Sequence, residues 1–384
     1  IGILWGYQNS QFPFHIFNNI KSNQVSNLGS LEINNMSREQ YFKPYRAAAY
    51  DGYSGTEEWW DFTEEQETLQ TLWRETQVYL KEALERDQLN SLPLTEWNHF
   101  LYKKMFLYEM KAPLPIELVN WFLNINSNKS QLKWVHKILI APKENLESNT
   151  IYILGEENLY KTQIPFIRGG ITISEYDDYI TSFPEKENTE PFTIFGETGF
   201  QNLPGNTIAQ KIGYDVMCYF SKHQKSYGKL YDWNSKKLMD KDVIAKILLM
   251  DNKESYDRVA MEDSSIVFRT LNNKFVMYPD GKMEYDSKFE PVGYEDNIND
   301  VFKSIFNFIN TKKNLLVPDS ELLISNIIKK SESMIIEFDY VMGRYPVYIK
   351  GNDKWISAIT IEADSKRVLK CRWYIRLLSV SKKD

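Results

Sequence analysis

Four histidines, His15, His99, His136 and His223, are the natural first candidates for metal binding or proton transfer. None stands four residues from another, and none shares zinc-ligand spacing with a cysteine or an acid. His136 lies in an apolar run and reads as a hydrogen-bonded core residue. Ser130-Gln131-Leu132-Lys133 and Ser226-Tyr227-Gly228-Lys229 both have the S-x-x-K spacing in which a lysine activates a serine nucleophile. The companion S-D-N and K-T-G elements are absent, as is a G-x-S-x-G elbow. No Gly-rich phosphate loop precedes a Lys-Ser or Lys-Thr pair. The acids Glu57-Glu58, Asp61, Glu64-Glu65 and Glu67 could pair carboxylates or hold a cation. They stand just before a helix, where the positive end of the dipole favours negative charge without any ligand. Asp251, Glu262, Asp263 and Asp280 fall in expected turns. No catalytic residue, metal site or cofactor is therefore expected, and the chain reads as a protein that works by contact.

The elements around these residues are clearer than any chemistry. Residues 1–42 are expected to be a lead-in or linker, with 8–42 rich in Asn, Gln and Ser. Pro44 forces an extended approach to a strand over Ala47–Tyr50. Thr63-Glu64-Glu65-Gln66 has the form of a capping box, followed by Leu69, Leu72, Trp73, Tyr79, Leu80 and Leu84 at helical spacing. A second helix start is expected at Thr95-Glu96-Trp97, a strand over Met105–Met110, and a helix over Glu117–Leu123 opened by Leu114-Pro115. Strands follow over Trp134–Ala141 and Asn149–Gly155, so 43–165 forms a mixed α/β unit. The stretch 166–258 is an irregular middle unit, punctuated by prolines and glycines, with one helix over Lys241–Met250 capped by Asp240.

From 259–384 the pattern is β-rich. Ile266–Arg269 and Lys274–Tyr278 flank the turn pair Asn272-Asn273; Pro279-Asp280-Gly281-Lys282 then turns into a strand over Met283–Asp286. Ile298, Val301, Phe302, Ile305, Phe306 and Ile309 line one face of a helix over 296–310, and another helix is expected over Ser320–Lys329. Ile335–Val341, Tyr345–Ile349, Ala358–Ala363 and Val368–Leu378 complete an antiparallel meander. The two hairpin blocks, 264–286 and 334–378, hint at an internal duplication. The fold class is thus α+β and multi-domain, with antiparallel meanders and packed helices in its last unit.

Composition narrows the functions further. A length of 384 residues exceeds one ordinary core. A net charge of −6 with scattered lysines and arginines argues against nucleic acid, whose phosphates select clustered cations. The two cysteines, Cys218 and Cys371, can form at most one long-range bridge or remain two buried thiols. No apolar run approaches the roughly 18–20 residues that span a bilayer, the densest being Ile244–Met250. The opening Ile1-Gly2-Ile3-Leu4-Trp5-Gly6-Tyr7 has the look of the last turn of a membrane helix with its interfacial aromatics, the expectation being an anchor ahead of Ile1.

Several segments stand out in order over about 43–378. They are Lys43-Pro44-Tyr45-Arg46 with the Trp73 helix, and Pro113-Leu114-Pro115-Ile116-Glu117 leading into Trp121-Phe122-Leu123. Lys246-Ile247-Leu248-Leu249-Met250-Asp251 with Ile266-Val267-Phe268 and Pro279-Asp280-Gly281-Lys282-Met283-Glu284-Tyr285 come next. Gly343-Arg344-Tyr345-Pro346-Val347-Tyr348, Ala358–Glu362 and Val368–Arg372 close the series, which in order and spacing resembles the YycH family. Tyr285-Asp286-Ser287 lacks the Asn-Pro of that family, and Lys312-Lys313 replaces a Gly-rich turn, which leaves a YycI-like relative as the alternative. The resemblance implies a non-enzymatic extracytoplasmic regulator, held at the outer face of a bacterial cytoplasmic membrane by one N-terminal helix. Its partners would be an essential sensor histidine kinase controlling cell-wall metabolism and a YycI-like single-pass protein, with 259–384 as the YycI-like part. The aromatics Tyr345, Tyr348, Trp355, Trp373 and Tyr374 are the candidate partner surface, the alternative for any one of them being that it fills the core of the sheet. An exported peptide- or glycan-binding module is the rival reading, favoured if Trp59, Trp60, Trp97, Trp121 or Trp134 line a pocket; a cell-wall-active enzyme is a further one.

Overall fold

The computed structural model describes residues 38–51, 56–61, 67–86, 88–96, 104–126, 131–141, 148–155, 158–165, 192–193, 231–232, 237–238, 245, 256–279, 281–294, 298–316, 321–342, 345–347, 349–350 and 355–375. They fall into two compact units, one drawn mainly from Arg38–Met217 and one from Cys218–Met342 with Pro346–Asp384. The expected middle unit, 166–258, lies almost wholly outside the described residues. Of its expected helix, Ala245 is described and helical. The opening Ile1–Tyr7 and the capping box at Thr63 also lie outside them. Among the described residues no helix is long and apolar enough to cross a membrane.

The N-terminal unit is an eight-stranded antiparallel sheet with helices on it. Its strands are β1 (Arg46–Asp51), β2 (Thr56–Asp61), β3 (Asn90–Leu92), β4 (Lys104–Pro115), β5 (Trp134–Ala141), β6 (Ser148–Leu154), β7 (Leu159–Pro165) and β8 (Phe192–Thr193), in the order β3-β7-β6-β5-β4-β1-β2-β8. Helices α1 (Glu67–Arg86) and α2 (Ile116–Leu123) pack against β4 to β7. The alternation of helix and strand seen in the sequence therefore folds without a parallel pair. Leu72, Trp73, Tyr79 and Leu80 form the buried stripe of α1, as their spacing requires. Trp73 donates its indole N–H to the Phe42 carbonyl at 2.9 Å, and the Trp73 and Phe122 rings lie 5.2 and 5.3 Å from Phe42. The expected helix start at Thr95 is a single 3-10 turn, Leu94–Glu96.

One polar row crosses this sheet. Asp61, Arg46, Glu109 and Lys137 stand opposite one another on β2, β1, β4 and β5. Glu109 and Lys137 are 5% and 0% exposed, with Nζ 3.2 Å from Oε1. His136 Nε2 lies 3.9 Å from the same oxygen.

The C-terminal unit begins with a short pair, β9 (Tyr231–Asp232) and β10 (Lys237–Leu238). Its main sheet comprises β11 (Asp257–Ala260), β12 (Ile266–Arg269), β13 (Asn273–Met277), β14 (Lys282–Ser287), β15 (Glu321–Lys329), β16 (Met334–Met342) and β17 (Tyr345–Val347). A second short pair, β18 (Ile349–Lys350) and β19 (Trp355–Ile356), precedes β20 (Ile359–Ala363) and β21 (Val368–Tyr374). The order is β11-β12-β13-β14-β21-β20-β16-β15, with β17 on β16. The two hairpin blocks are thus halves of one antiparallel sheet, joined where β14, the end of the first, pairs with β21, the end of the second. Gly281, at φ +81°, takes the left-handed position that closes the turn into β14. Helix α3 (Ile298–Leu316) packs on β20 and β21, with Phe306 edge-on to Phe338 at 5.9 Å. It runs past the expected end at 310.

One expected helix is a strand. Ser320–Lys329 is not a helix; Glu321–Lys329 is strand β15, paired with β16 over its length. Its register shifts between Ile324 and Asn326, so Leu322, Ile324 and Ile327 are all buried although their parity changes. A bulge of this kind breaks strict alternation and produces apolar spacing that imitates a helix. The β-branched Ile324, Ile327 and Ile328 favour the pleated state.

Candidate partner-binding surface

The β14-β21-β20-β16 part of the C-terminal sheet is two-faced. Met283, Cys371, Trp373, Ile359, Ile361, Ile336 and Phe338 are buried on the side that carries α3. The alternate residues form the opposite face. Register puts Glu284, Arg372, Thr360, Glu337 and Asn326 in one line across five adjacent strands. Every side chain in that line is only partly buried or is exposed.

Hydrogen bonds join four of the five residues, Arg372, Thr360, Glu337 and Asn326, and Glu284 is held by neighbours in its own hairpin. Arg372 donates Nη2–H to Thr360 Oγ1 at 2.9 Å, and the Thr360 hydroxyl donates to Glu337 Oε1 at 3.3 Å. Glu337 Oε2 accepts from Asn326 Nδ2 at 3.1 Å and from the Ser357 hydroxyl at 3.4 Å. Glu284 accepts from the Tyr278 hydroxyl at 2.7 Å and from Lys282 Nζ at 3.1 Å, and that ammonium lies 3.7 Å from the Tyr278 ring centre. Two residues along β20, Glu362 accepts from Lys330 Nζ at 2.8 Å and from the Ser333 hydroxyl at 2.6 Å.

These contacts fix charge. Burial works to raise the Glu284 carboxyl, but the Tyr278 and Lys282 hydrogen bonds, with the Lys282 and Arg372 charges, hold it below its usual value. Burial likewise opposes, and Lys330, Ser333 and Lys370 outweigh it, at Glu362. A face of carboxylates kept ionised and cations held among them is suited to recognising a complementary charged surface. It is poorly suited to proton transfer near neutral pH, which needs a carboxyl raised toward that range.

The expected aromatic surface is only partly on this face. Tyr374 is half-buried there, with the Arg372 guanidinium 6.0 Å from its ring centre. Trp373 is a correction: it is 1% exposed and donates its indole N–H to the Tyr340 hydroxyl at 2.6 Å, so it fills the core beneath. Adjacent strand residues point to opposite faces, and one of the Trp373-Tyr374 pair had to be inside. Tyr345 opens β17 and Trp355 opens β19, while Tyr348 lies outside the described residues. The polar line itself was not anticipated. Its signal in the sequence is a single polar residue at alternate positions of each strand, legible only once the strands are ordered.

The other candidates disperse. Among the described residues no group of three His, Cys, Asp or Glu could hold a metal. Ser130, Ser226 and Lys229 lie outside the described residues, and Lys133 is exposed. Burial drives the Cys371 thiol far above its usual value, with Arg372 opposing weakly, so it is not a nucleophile at neutral pH. Trp121 is 7% exposed, with the Arg38 guanidinium 4.5 Å over its ring, and Trp134 is half-buried on β5. Trp97 lies outside the described residues.

No family model matches the chain, and no curated protein matches it. Among solved structures, the crystal structure of YycH from Bacillus subtilis is similar in fold, at a TM-score of 0.53 and 11% sequence identity. The match covers 89% of this chain and 83% of that one.

Proposed function

We propose that this chain is the extracytoplasmic part of a membrane-anchored, non-enzymatic regulator that modulates a sensor histidine kinase controlling cell-wall metabolism. The observation that carries the reading is the likeness of fold to YycH over 89% of the chain. The sequence segments that resemble the same family lie across both units, which supports it independently of the superposition. In this reading the protein sits at the outer face of a bacterial cytoplasmic membrane and acts with a YycI-like single-pass partner. Its activity is a differential affinity: it binds one signalling state of the kinase more tightly and so shifts the population toward it. The contact face is the charged line from Glu284 to Glu337, with Tyr374 beside it and Tyr345, Tyr348 and Trp355 as the aromatic contributors.

The test is co-purification from membranes, in mild detergent, of the tagged full-length protein and of its Arg372→Glu variant. Recovery of a sensor kinase with a second single-pass protein, reduced at least about tenfold by a reversed charge at a contact worth over 1.4 kcal/mol, is the expected result. Recovery of neither protein by the unaltered chain overturns the regulatory reading. Recovery of both, undiminished in the variant, keeps the function and refutes the proposed face.

A further inference from the structure

Three hairpin turns meet at one end of the C-terminal sheet. The β12–β13, β15–β16 and β20–β21 turns all lie there, because β14 ends opposite the start of β21 and β20 ends opposite the start of β16. Residues 288–294, which leave β14, cross this end and are tied to each turn in succession. Lys288 donates its backbone N–H to the Asn272 carbonyl at 2.8 Å and its Nζ–H to the Leu271 carbonyl at 2.9 Å. Val292 donates its N–H to Asp364 Oδ2 at 3.0 Å, and the Ser365 hydroxyl donates to the Gly293 carbonyl at 2.7 Å. The Tyr294 hydroxyl donates to the Lys330 carbonyl at 2.7 Å.

The end so fixed presents apolar side chains outward. Leu271, in the β12–β13 turn, is 78% exposed, the most of any large apolar residue among the described residues. Phe289 and Val292 on the crossing segment are 43% and 48% exposed. A single exposed apolar residue is ordinary, but three on adjoining, hydrogen-bonded turns mark a surface that meets something. The charge around them is mainly positive. Arg269, Lys288, Lys329 and Lys366 are exposed here, and the Arg367 guanidinium lies 4.1 Å over the Phe289 ring. Glu290 and Glu332 are the exposed acids, Lys330 is paired with Glu362, and Asp364 is buried against backbone N–H groups. A local excess of cations runs against the chain's net charge of −6.

We propose that this end of the C-terminal unit dips into the surface of an anionic lipid bilayer. Leu271, Phe289 and Val292 enter the boundary between headgroups and acyl chains, and Lys288, Lys366 and Arg367 meet the lipid phosphates. Such binding scales with the apolar area inserted plus the attraction of basic side chains to anionic headgroups. Lysine and arginine suit the rim, because their apolar stems lie beside the inserted tips while the charged ends stay at the phosphates. Tips on separate turns project singly; a fluid layer closes around each, whereas a protein partner needs a pocket for every one. The contact is peripheral and involves no membrane-crossing element. It does not rest on the regulatory reading, since a bilayer alone tests it.

The test is sedimentation of the chain with vesicles of phosphatidylglycerol and phosphatidylcholine in equal parts, and with vesicles of phosphatidylcholine alone. The unaltered chain is expected to bind the mixed vesicles at least about tenfold more tightly than the zwitterionic ones, and less tightly as salt is added. Leu271→Asp with Phe289→Asp should lower that affinity at least about tenfold. Lys288→Glu with Lys366→Glu, both exposed side chains, should lower it by a similar factor. Val78→Asp on α1, an exposed position of the other unit, should leave it unchanged. Hydrogen exchange of the peptide Ile298–Leu316 shows that each variant keeps its C-terminal unit folded. No binding of the unaltered chain to the mixed vesicles, equal binding to both kinds, or an affinity unchanged by Leu271→Asp with Phe289→Asp overturns the proposal. Self-association abolished by that same pair, without vesicle binding, also overturns it and assigns the surface to a second copy of the chain.

Discussion

Replacing Lys312 with methionine should stabilise the protein, although it removes a charge. Lys312 lies in the penultimate turn of α3 and is 5% exposed. Burial lowers its ammonium from 10.5 to about 8. At about 1.4 kcal/mol for each factor of ten, that drop corresponds to about 3 kcal/mol of cost for holding the charge inside at pH 7. The last turns of a helix favour a cation by about 0.3–1 kcal/mol, which the substitution forfeits. Methionine keeps the unbranched stem and its packing. The expected gain from Lys312→Met is therefore about 2 kcal/mol at pH 7. Its pH dependence has a definite sign. Between about 8 and 10.5 the unfolded chain holds this proton and the folded one does not, so wild-type stability rises with pH there. The penalty is fully present below about 8 and has largely gone by the unfolded value, so the advantage of methionine should fall below about 1 kcal/mol at pH 10. Hydrogen exchange of the peptide Ile298–Leu316 in increasing urea reads the stability of this unit apart from the other. A variant no more stable than wild type at pH 7, or equally advantaged at both pH values, would refute the reasoning.

Three further outcomes follow from other sites. Lys137→Met leaves Glu109 charged and buried in the N-terminal sheet, and should cost about 3–5 kcal/mol. The double change Glu109→Met with Lys137→Met should recover most of that in urea unfolding, and a double variant as weak as the single one would show that the pair is not what matters. Cys371 should resist a thiol reagent in native protein and react at the ordinary rate in denaturant; modification of Cys371 within the native state, located by mass spectrometry in a Cys218→Ser background, would contradict its burial. Glu362 has a folded value below its unfolded 4.5, so its contribution is present above that pH and lost as pH falls through the lower folded value. Glu362→Gln should accordingly make the acid limb of the stability profile shallower, and an unchanged limb would count against the Lys330 and Ser333 contacts.

Much of the fold was legible because its elements obey local rules. Trp134–Ala141 was read as a strand and is one, and the apolar stripe from Val301 to Ile309 marked α3 by its period. Where reading failed, a non-local feature had overridden the local one. At β15 the bulge after Ile324 reset the parity of the buried side chains, and only the partner strand β16 reveals that the pattern is strand. Helix α3 runs on past the expected end at 310, because the helix carries Lys312 inside rather than leaving it at a solvated exit.

The candidate site was hidden for a related reason. Aromatics are conspicuous in a sequence, and Tyr345, Tyr348, Trp355, Trp373 and Tyr374 group together as aromatics of the β-rich C-terminal unit. A strand separates neighbours to opposite faces, so Trp373 serves the core and Tyr374 the surface. What the surface does share comes from distant segments. Glu284, Arg372, Thr360, Glu337 and Asn326 span 88 positions of sequence and are collinear only because β14 pairs with β21, uniting the two halves of the sheet. Each alone is an ordinary polar residue in a half-exposed strand. Their alignment converts five such residues into a fixed charge pattern, and under the proposed function recognition depends on that pattern. A change that preserves every strand but reverses Arg372 should therefore damage binding more than it damages folding, whereas truncating Trp373 should do the opposite.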